Sequence, residues 1–319
     1  MRRVPFSFEL HPARSSHIAQ QLPDRIARLV AAGPEFVSVT YGAGGSSQDA
    51  SLDVLKHVID HHPRVRTMAH LTCVGSTVDS MREVVRTFLD AGVHSFLAVR
   101  GDLPAGTEDG AFPGDIRSGA ELVQLIHAVQ HERAPWREVF LPGTPGITVD
   151  REGRERIVIA VAAFPNGHPS SRSYRKDIDT LLAKQAAGAN LAITQLFFRV
   201  DDYFRFVDTA RAAGVQFPIL PGIMPVATSS ALARSLELSG EQVPTDLADA
   251  LDREQTDDGR REIGIDFAAG FAQRLIEGGA PGIHLYTRNV HELPLAVLER
   301  VGLIDAARYG QLLSPAFAS

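Results

Sequence analysis

The segment from residue 66 to residue 100, RTMAHLTCVGSTVDSMREVVRTFLDAGVHSFLAVR, carries the pattern that decides the fold. It begins and ends with short apolar runs that predict β-strands, Arg66 to Cys73 and Ser95 to Arg100. Between them, apolar residues recur at the helical spacing of three and four positions: Met81, Val84, Val85, Phe88 and Leu89. Ala91-Gly92 marks the predicted end of this helix. The segment therefore predicts a strand, a helix with one apolar face, and a second strand.

The same alternation extends over almost the whole chain and predicts a parallel sheet. Eight strands are expected, at Pro5 to Leu10, Phe36 to Thr40, Arg66 to Cys73, Ser95 to Arg100, Ile157 to Ala163, Leu191 to Phe197, Phe217 to Gly222 and Gly282 to Tyr286. Eight strands alternating with helices are what a closed α/β barrel of the (β/α)8 TIM type requires, and 319 residues are an ordinary length for one. We therefore expect residues 1–319 to form a single barrel domain.

Three features depart from a regular alternation. Residues Ala134 to Glu155 are rich in proline and glycine and predict a long surface excursion with room for a short hairpin. Residues Thr245 to Arg261 are acidic and helical in character, which predicts an extra surface helix. Pro23 lies inside the first helical pattern, where it either kinks the helix or marks its start.

Composition argues against several classes of protein. The formal net charge is -6, and no basic run is interleaved with aromatic residues, so a nucleic-acid partner is not expected. Glu9, His11 and Pro12 interrupt the apolar stretch at the N-terminus before a signal peptide or membrane span is complete. We therefore expect a cytoplasmic protein without a membrane partner. The single cysteine, Cys73, cannot form an internal disulfide, and a buried, inert thiol is expected.

Motifs for other chemistries are missing. The twelve histidines form neither a His-x-His nor a His-Glu-x-x-His pair, so no metal site is expected. No Gly-x-Ser-x-Gly elbow follows a predicted strand, which argues against a serine hydrolase. Gly42, Gly44 and Gly45 form a permissive turn but not the dinucleotide fingerprint, so nicotinamide binding on a Rossmann unit is not indicated.

Polar side chains gather at the predicted carboxyl ends of the strands, where TIM-type barrels place their chemistry. They are Glu9, His11, Thr40, Tyr41, His70, Thr72, Arg100, Asp102, His168, Gln195, Tyr286 and Asn289. Strand alternation in a closed barrel points one set of side chains into the lumen, which favours a functional Glu9. His70 and His168 are equally consistent with buried structural histidines, and Arg100 with Asp102 is also consistent with a structural ion pair.

Ordered motifs give the chain a resemblance to the methylenetetrahydrofolate reductases from Phe8 to Asn289. The motifs are FELHP at 8–12, FVSVTYGA at 36–43, HLTC at 70–73, RGDLP at 100–104, AFP at 163–165 with HP at 168–169, AGAN at 187–190 with ITQ at 193–195, PGIMPV at 221–226 and HLYT at 284–287. Each motif alone is weak, but the ordered series is specific.

The resemblance implies an FAD-dependent enzyme that reduces 5,10-methylenetetrahydrofolate to 5-methyltetrahydrofolate with NADH or NADPH, by ping-pong hydride transfer. It implies that Glu9 protonates the departing folate nitrogen, with a pKa raised by burial. Asp102 is implied as a second catalytic carboxylate beside flavin and pterin, and Gln195 and Tyr286 as substrate contacts. A homo-oligomer is also expected. The residues implied to contact FAD are Thr40, Tyr41, His70, Arg100, Gly101, Asp102, His168, Asp177 and Lys184.

The spacing of Asp177 and Lys184 gives independent information on these two residues. Asp177 and Lys184 are two helical turns apart, so both project from one side of a helix. Without the resemblance, a solvated pair on an exposed face is the preferred interpretation. Some positions depart from the family pattern: Phe164, Ser118-Gly119, Ala183, Ser229 and Val290. Arg288 offers a cation that compensates for the arginine expected at position 290.

Two alternatives remain open at this point. One is a flavin-free methyltetrahydrofolate-binding subunit of a methyltransferase, and the other is a non-catalytic barrel that acts in assembly. The pairing of Glu9 with Asp177 and Lys184 disfavours the first, and the polar rim disfavours the second. Because the sequence shows no further domain after the barrel, we expect no regulation by S-adenosylmethionine of the kind found in longer eukaryotic relatives.

Overall fold

The computed structural model of the chain describes residues 4–41, 48–101, 113–133, 136–139, 147–150, 157–169, 171 and 173–305. Within these ranges, parallel strands alternate with helices in an α/β barrel, as predicted. The barrel strands are β1 (Phe6–Leu10), β2 (Phe36–Val39), β3 (Arg66–Thr72), β4 (Ser95–Val99), β7 (Val158–Ala163), β8 (Leu191–Thr194), β9 (Ile219–Leu220), β10 (Gly222–Ile223) and β11 (Ile283–Tyr286). The helices are α1 (Ser16–Ala31), α2 (Gln48–His61), α3 (Val78–Asp90), α4 (Gly119–Arg133), α5 (Tyr174–Ala186), α6 (Val200–Ala213), α7 (Ser229–Ser239), α8 (Thr245–Arg253), α9 (Asp257–Glu277) and α10 (Glu292–Arg300).

The seventh predicted strand is divided in two, and this division closes the barrel. β9 pairs with β8 on one side, and β10 pairs with β11 on the other. Pro221 lies between them and has no backbone N–H to donate, but its carbonyl oxygen accepts the His284 N–H at 2.9 Å. The Gly222 N–H donates to Thr194 Oγ1 at 2.9 Å, and a Cβ at Gly222 would lie 2.5 Å from the Thr194 carbonyl oxygen. Only glycine fits this close approach of two strands.

Four strands end earlier than predicted, and one of them, β3, ends at Thr72 instead of Cys73. β2, β4 and β8 end at Val39, Val99 and Thr194, so Thr40, Arg100 and Gln195 are the first loop residues at the carboxyl rim. The prediction for β8 ran too far because the apolar pattern continues after the strand. Leu196 and Phe198 are buried in a separate cluster with residues of α7 and α8: Leu232, Leu247 and Leu251. Their burial serves the packing of these helices, not the sheet.

The irregular segments follow the predictions closely. The hairpin consists of the antiparallel strands β5 (Trp136–Val139) and β6 (Ile147–Asp150). The acidic segment contains the extra helix α8, and the N-cap Thr256 then begins α9. Pro23 lies inside α1, whose N-cap is Ser15, so this proline does not mark the helix start.

Two apolar layers hold the barrel. The helices pack on its outer face, where Met81, Val85 and Phe88 of α3 are buried as their spacing predicted. A second cluster takes one residue from each of six strands, which places it in the lumen: Phe36, Met68, Leu97, Ala160, Ile193 and Leu220. Cys73 is buried, and burial raises the pKa of its thiol to about 11. None of the described helices has the length and apolar character needed to cross a membrane.

Candidate active site

A cavity of about 650 Å³ lies at the carboxyl end of the barrel. Four predicted site residues line it, and each comes from a different strand or strand end: Glu9, His70, Gln195 and Tyr286. Leu97 and Ile193 of the lumen cluster also contribute to its wall. The strand ends therefore converge on one cavity of the size of a small-molecule site.

Glu9 is enclosed by histidines. Its Oε1 lies 3.2 Å from His11 Nε2 and its Oε2 lies 3.8 Å from His70 Nε2, and only 12% of the glutamate side chain is exposed. Burial raises the pKa of Glu9, but the hydrogen bond from His11 and the charges of His70, His11 and His284 lower it further than burial raises it. The pKa is lowered on balance, so the expectation of a raised pKa is wrong for this site.

His70 and His284 are buried deeper than His11. Burial lowers the pKa of both imidazoles, to about 4 for His284, which keeps that ring neutral at pH 7. His284 Nδ1 shares a hydrogen bond of 2.8 Å with Ser7 Oγ, and its ring stacks on Phe36. His284 belongs to the HLYT motif at 284–287, but no role for it was predicted from the sequence. Its signal was a histidine in an otherwise apolar strand.

Gln195 and Tyr286 offer different surfaces to a ligand. The Tyr286 hydroxyl donates to the Thr194 carbonyl oxygen at 2.6 Å, and burial raises the pKa of the phenol. Tyr286 therefore presents its ring, while its hydroxyl is already bonded. The Gln195 amide oxygen accepts the Leu196 N–H at 2.8 Å. Its NH2 group has no partner among the described residues, which leaves it available to a ligand.

A second group of predicted residues lies beside β7. Lys184 Nζ donates to the Ala162 carbonyl oxygen at 2.8 Å, and Lys184 Cε lies 3.4 Å from the position of a Cβ built at Gly119, the first residue of α4. Burial lowers the pKa of Lys184 to about 8; Asp177 opposes the shift and Arg100 adds to it. Lys184 is half-buried, so the alternative of a solvated surface pair is wrong for this residue.

The remaining predicted cofactor contacts that the structure describes lie at the ends of several strands. Asp177 Oδ2 accepts the His168 N–H at 3.3 Å, and the His168 ring meets Phe164 edge-on at 4.6 Å. Gly101 has a φ of +88°, and a Cβ there would lie 2.9 Å from Val74. Tyr41 is half-buried, which raises its pKa, and Thr40 bonds to His11. Asp102 lies outside the described residues, so its role stays a prediction.

Four arginines of the described residues form part of the cavity wall, and Arg288 is the one that the sequence already offered as a compensating cation. Arg14, Arg25, Arg234 and Arg288 line the cavity, and no acid besides Glu9 does so among the described residues. The cavity therefore combines one carboxylate at its inner end with several cations. Such a wall suits a ligand that carries negative charge.

Comparison with known proteins agrees with the motif series. A family model described as methylenetetrahydrofolate reductase matches residues 1–302. The 5,10-methylenetetrahydrofolate reductase of Escherichia coli (strain K12) is 31% identical, over 94% of this chain and 92% of that protein. Methylenetetrahydrofolate reductase (NADH) 1 of Arabidopsis thaliana is also 31% identical, over 98% of this chain. The chain spans about half the length of that plant relative, 50%.

A solved structure supports the fold. An uncharacterized protein from Clostridium thermocellum, which binds two copies of 5-methyl-5,6,7,8-tetrahydrofolic acid, superposes with a TM-score of 0.58 and 14% sequence identity. The superposition covers 96% of this chain and 95% of that chain. At 14% identity, this superposition supports only the barrel fold. Membership of a family rests on the matches in sequence. The resemblance predicted from the motifs is confirmed, and the chain belongs to the methylenetetrahydrofolate reductase family.

Proposed function

We propose that this protein reduces 5,10-methylenetetrahydrofolate to 5-methyltetrahydrofolate. One observation carries the proposal: a buried carboxylate, Glu9, lies at the end of a cavity of about 650 Å³ with an imidazole near each of its oxygens. Opening the folate ring requires a proton on the departing nitrogen, and a carboxyl group in a desolvated cavity can supply it. Membership of the reductase family makes this reaction the first to test.

We propose FAD as the cofactor. When bound, it would accept hydride from the nicotinamide and pass it to the folate methylene. The cluster beside β7 offers a half-buried cation to an anionic group: burial lowers the pKa of Lys184, Asp177 opposes that shift and Arg100 adds to it. A pyrophosphate would pair with the lysine and arginine charges. The residues proposed to hold FAD are Thr40, Tyr41, His70, Arg100, Gly101, Asp102, His168, Asp177 and Lys184.

The chain's own residues then have separate tasks. Glu9 gives its proton to the departing folate nitrogen, and a pterin that covers the cavity raises the glutamate pKa by excluding water. The NH2 group of Gln195 donates to the pterin or the nicotinamide, and the Tyr286 ring forms a wall of the substrate site. Asp102 stabilises positive charge on the folate as the ring opens.

Arg288 and Arg234 are proposed to bind the carboxylate tail of the folate. Arg288 has a φ of 50° and Asn289 a φ of 61°, a conformation that non-glycine residues rarely adopt. The Asn289 side chain fixes this turn by bonding to both the N–H and the carbonyl of His11, at 2.8 and 2.7 Å. Arg288 Nη2 donates to Ser235 Oγ at 3.3 Å, and burial together with Arg234 lowers the Arg288 pKa.

A reduced nicotinamide is proposed as the electron donor in a ping-pong reaction. NADH is the donor to try first, because the plant relatives have NADH in their names. The described residues form one barrel, which supports a single catalytic domain. A cytoplasmic location and a homo-oligomer stay predictions.

Product analysis tests the proposed function. The protein is incubated with methylenetetrahydrofolate and either NADH or NADPH, and the folates are identified by mass spectrometry. We expect 5-methyltetrahydrofolate and an equal amount of oxidised nicotinamide. If no methyl product forms with either donor, the proposal is wrong, and methyl transfer from added 5-methyltetrahydrofolate to a corrinoid protein would favour the methyltransferase alternative.

A further inference from the structure

His11 connects Glu9 to a second polar residue. Its Nε2 lies 3.2 Å from Glu9 Oε1, and its Nδ1 shares a hydrogen bond of 3.0 Å with Thr40 Oγ1. The backbone of His11 is fixed as well, because the Asn289 side chain bonds to both its N–H and its carbonyl. The imidazole is therefore held in one orientation between a carboxylate and a hydroxyl group.

Among the three histidines whose charges act on Glu9, His11 differs in exposure. The side chain of His11 is 30% exposed, that of His70 is 10% exposed, and His284 is fully buried. Burial lowers the pKa of His70 and of His284, which favours the neutral form of both rings. His11 is thus the one of the three that both lies within hydrogen-bond distance of the carboxylate and can exchange protons with water.

The Thr40 hydroxyl suits either protonation state of His11. It can accept a hydrogen bond from a protonated Nδ1 or donate one to an unprotonated Nδ1, because a hydroxyl group rotates freely. In the cationic ring, Nδ1–H points to Thr40 and Nε2–H points to Glu9. When Nε2 passes its proton to Glu9 Oε1, the neutral ring keeps its bond to Thr40. Neither state leaves a ring nitrogen without a partner.

We infer that His11 is the residue that stores the proton and reloads Glu9 during catalysis. This inference rests on the proposed role of Glu9 in folate reduction. In each cycle the proton moves from His11 Nε2 to Glu9 Oε1, and from there to the departing folate nitrogen. The glutamate is left as a carboxylate facing an unprotonated Nε2, and that nitrogen takes one proton from water. One proton enters and one leaves per turnover, and no oxidant or reductant is needed for this transfer.

The surrounding charges agree with this direction of transfer. Glu9 is the one acid among the described residues that line the cavity, so it is the carboxylate that can stabilise a protonated His11. Tyr286 also lines the cavity, and burial keeps its phenol neutral. The other titratable or charged groups of the wall are neutral or cationic: Arg14, Arg25, His70, Arg234, His284 and Arg288. The positive charges of the arginines disfavour a second proton in the cavity. The pair formed by His11 and Glu9 therefore holds one transferable proton at a time.

Replacing His11 by glutamine tests the inference. His11→Gln keeps a nitrogen donor near Glu9 but cannot hold the transferable proton. Single-turnover reoxidation of the reduced enzyme by methylenetetrahydrofolate is measured across pH 5 to 9. We expect a loss of about tenfold or more above neutral pH and a shift of the alkaline limb by about one pH unit or more, because the variant lacks the imidazole that lies 3.2 Å from the Glu9 carboxylate. Reduction by NADH should change by less than about twofold. His17→Gln on the exposed face of α1 is the matched control and should behave as wild type.

Two outcomes of this comparison would overturn the inference. One is a His11→Gln profile that superposes on wild type, and the other is an equal loss at every pH, which indicates a purely structural role. A second measurement does not depend on activity or on correct folding of a His11 variant. The ¹⁵N NMR titration of His11 is compared between wild type and Glu9→Gln, and we expect its midpoint to fall in the variant, because Glu9 Oε1 lies 3.2 Å from His11 Nε2. An unchanged midpoint contradicts the pairing.

These measurements also separate this inference from the proposed function. A wild-type protein that forms no methyl product refutes the function, whatever the NMR titration gives. If the wild-type protein forms the product but the His11 midpoint is the same in wild type and Glu9→Gln, only the inference is refuted.

Discussion

Replacing Glu9 by glutamine removes the proposed proton donor and nearly preserves the size of the side chain. Glu9 Oε1 and Oε2 lie 3.2 Å and 3.8 Å from two imidazole nitrogens, so an amide fits the same space with one donor and one acceptor. The residue lies on β1, whose backbone pairs with both β2 and β11, and the barrel should remain folded. The perturbation is therefore confined to the proton and the charge.

Loss of a general acid slows its step by about two to four powers of ten. At about 1.4 kcal/mol for each factor of ten, this corresponds to about 3 to 5 kcal/mol of activation free energy. The loss should fall on the folate half-reaction. Reduction by the nicotinamide releases no folate nitrogen and should stay near the wild-type rate.

Stopped-flow absorbance separates the two half-reactions of Glu9→Gln. Glu237→Gln makes the same chemical change on the exposed face of α7 and serves as the control. A folate half-reaction at the wild-type rate in Glu9→Gln would refute the role of Glu9 as the acid. A variant with both half-reactions slowed equally would instead indicate that the substitution disturbs the cofactor.

Further predictions address the cofactor and the substrate tail. Lys184→Ala should lose FAD on dilution while its thermal unfolding shows an intact barrel, and FAD retention equal to wild type would contradict the proposed contact. The pKa of Lys184 is lowered to about 8 in the folded protein, so between about pH 8 and pH 10.4 the unfolded chain binds more protons than the folded one. The free energy of unfolding of the cofactor-free protein should therefore rise with pH across this window. Chemical denaturation of Lys184→Met should not show this rise. Asp102→Asn should raise the flavin midpoint potential, ease reduction by the nicotinamide and slow the folate half-reaction, because a negative charge near the flavin opposes its reduction; a lower potential or an unchanged folate rate would count against it. Arg288→Ala should raise the KM for folate by about tenfold with little change in kcat, and an unchanged KM would remove Arg288 from the tail site.

The eight-stranded pattern was predictable because local spacing records which face of each helix and strand is buried. Met81, Val85 and Phe88 point to the barrel at helical intervals, and Ala91-Gly92 ends α3 as predicted, with Gly92 at a φ of +87°. The predicted ends of strands were less accurate. The apolar run after Thr194 looks like a continuing strand, but it packs against α7 and α8, which follow more than 30 residues later in the chain.

The division of the seventh strand was not predictable from local pattern. β9 bonds to one neighbour and β10 to another, and only the closed sheet brings Gly222 against Thr194. Sequence position nevertheless located much of the candidate site. Glu9, His70, Gln195 and Tyr286 were expected at the carboxyl rim, and all four line one cavity.

The electrostatics of Glu9 show where sequence reasoning failed. Burial alone predicts a raised pKa, but three histidine side chains from different strands or strand ends act on the same carboxylate. His70 and His284 are separated from Glu9 by 61 and 275 positions in the chain. Strand position predicted that His70 lies at the same rim as Glu9, but nothing in the local sequence indicates that either ring acts on this carboxylate. The importance of His11 likewise depends on Thr40, which bonds to it from the end of β2.

The most direct test of the proposed function is a single-turnover experiment followed at the flavin absorbance of about 450 nm. The purified protein is made anaerobic, titrated with NADH or NADPH, and then mixed with methylenetetrahydrofolate. The proposal predicts an oxidised flavin band that bleaches on addition of the nicotinamide and returns as one equivalent of 5-methyltetrahydrofolate forms. Absence of the band, or a bleached band that methylenetetrahydrofolate does not restore, would contradict the proposal.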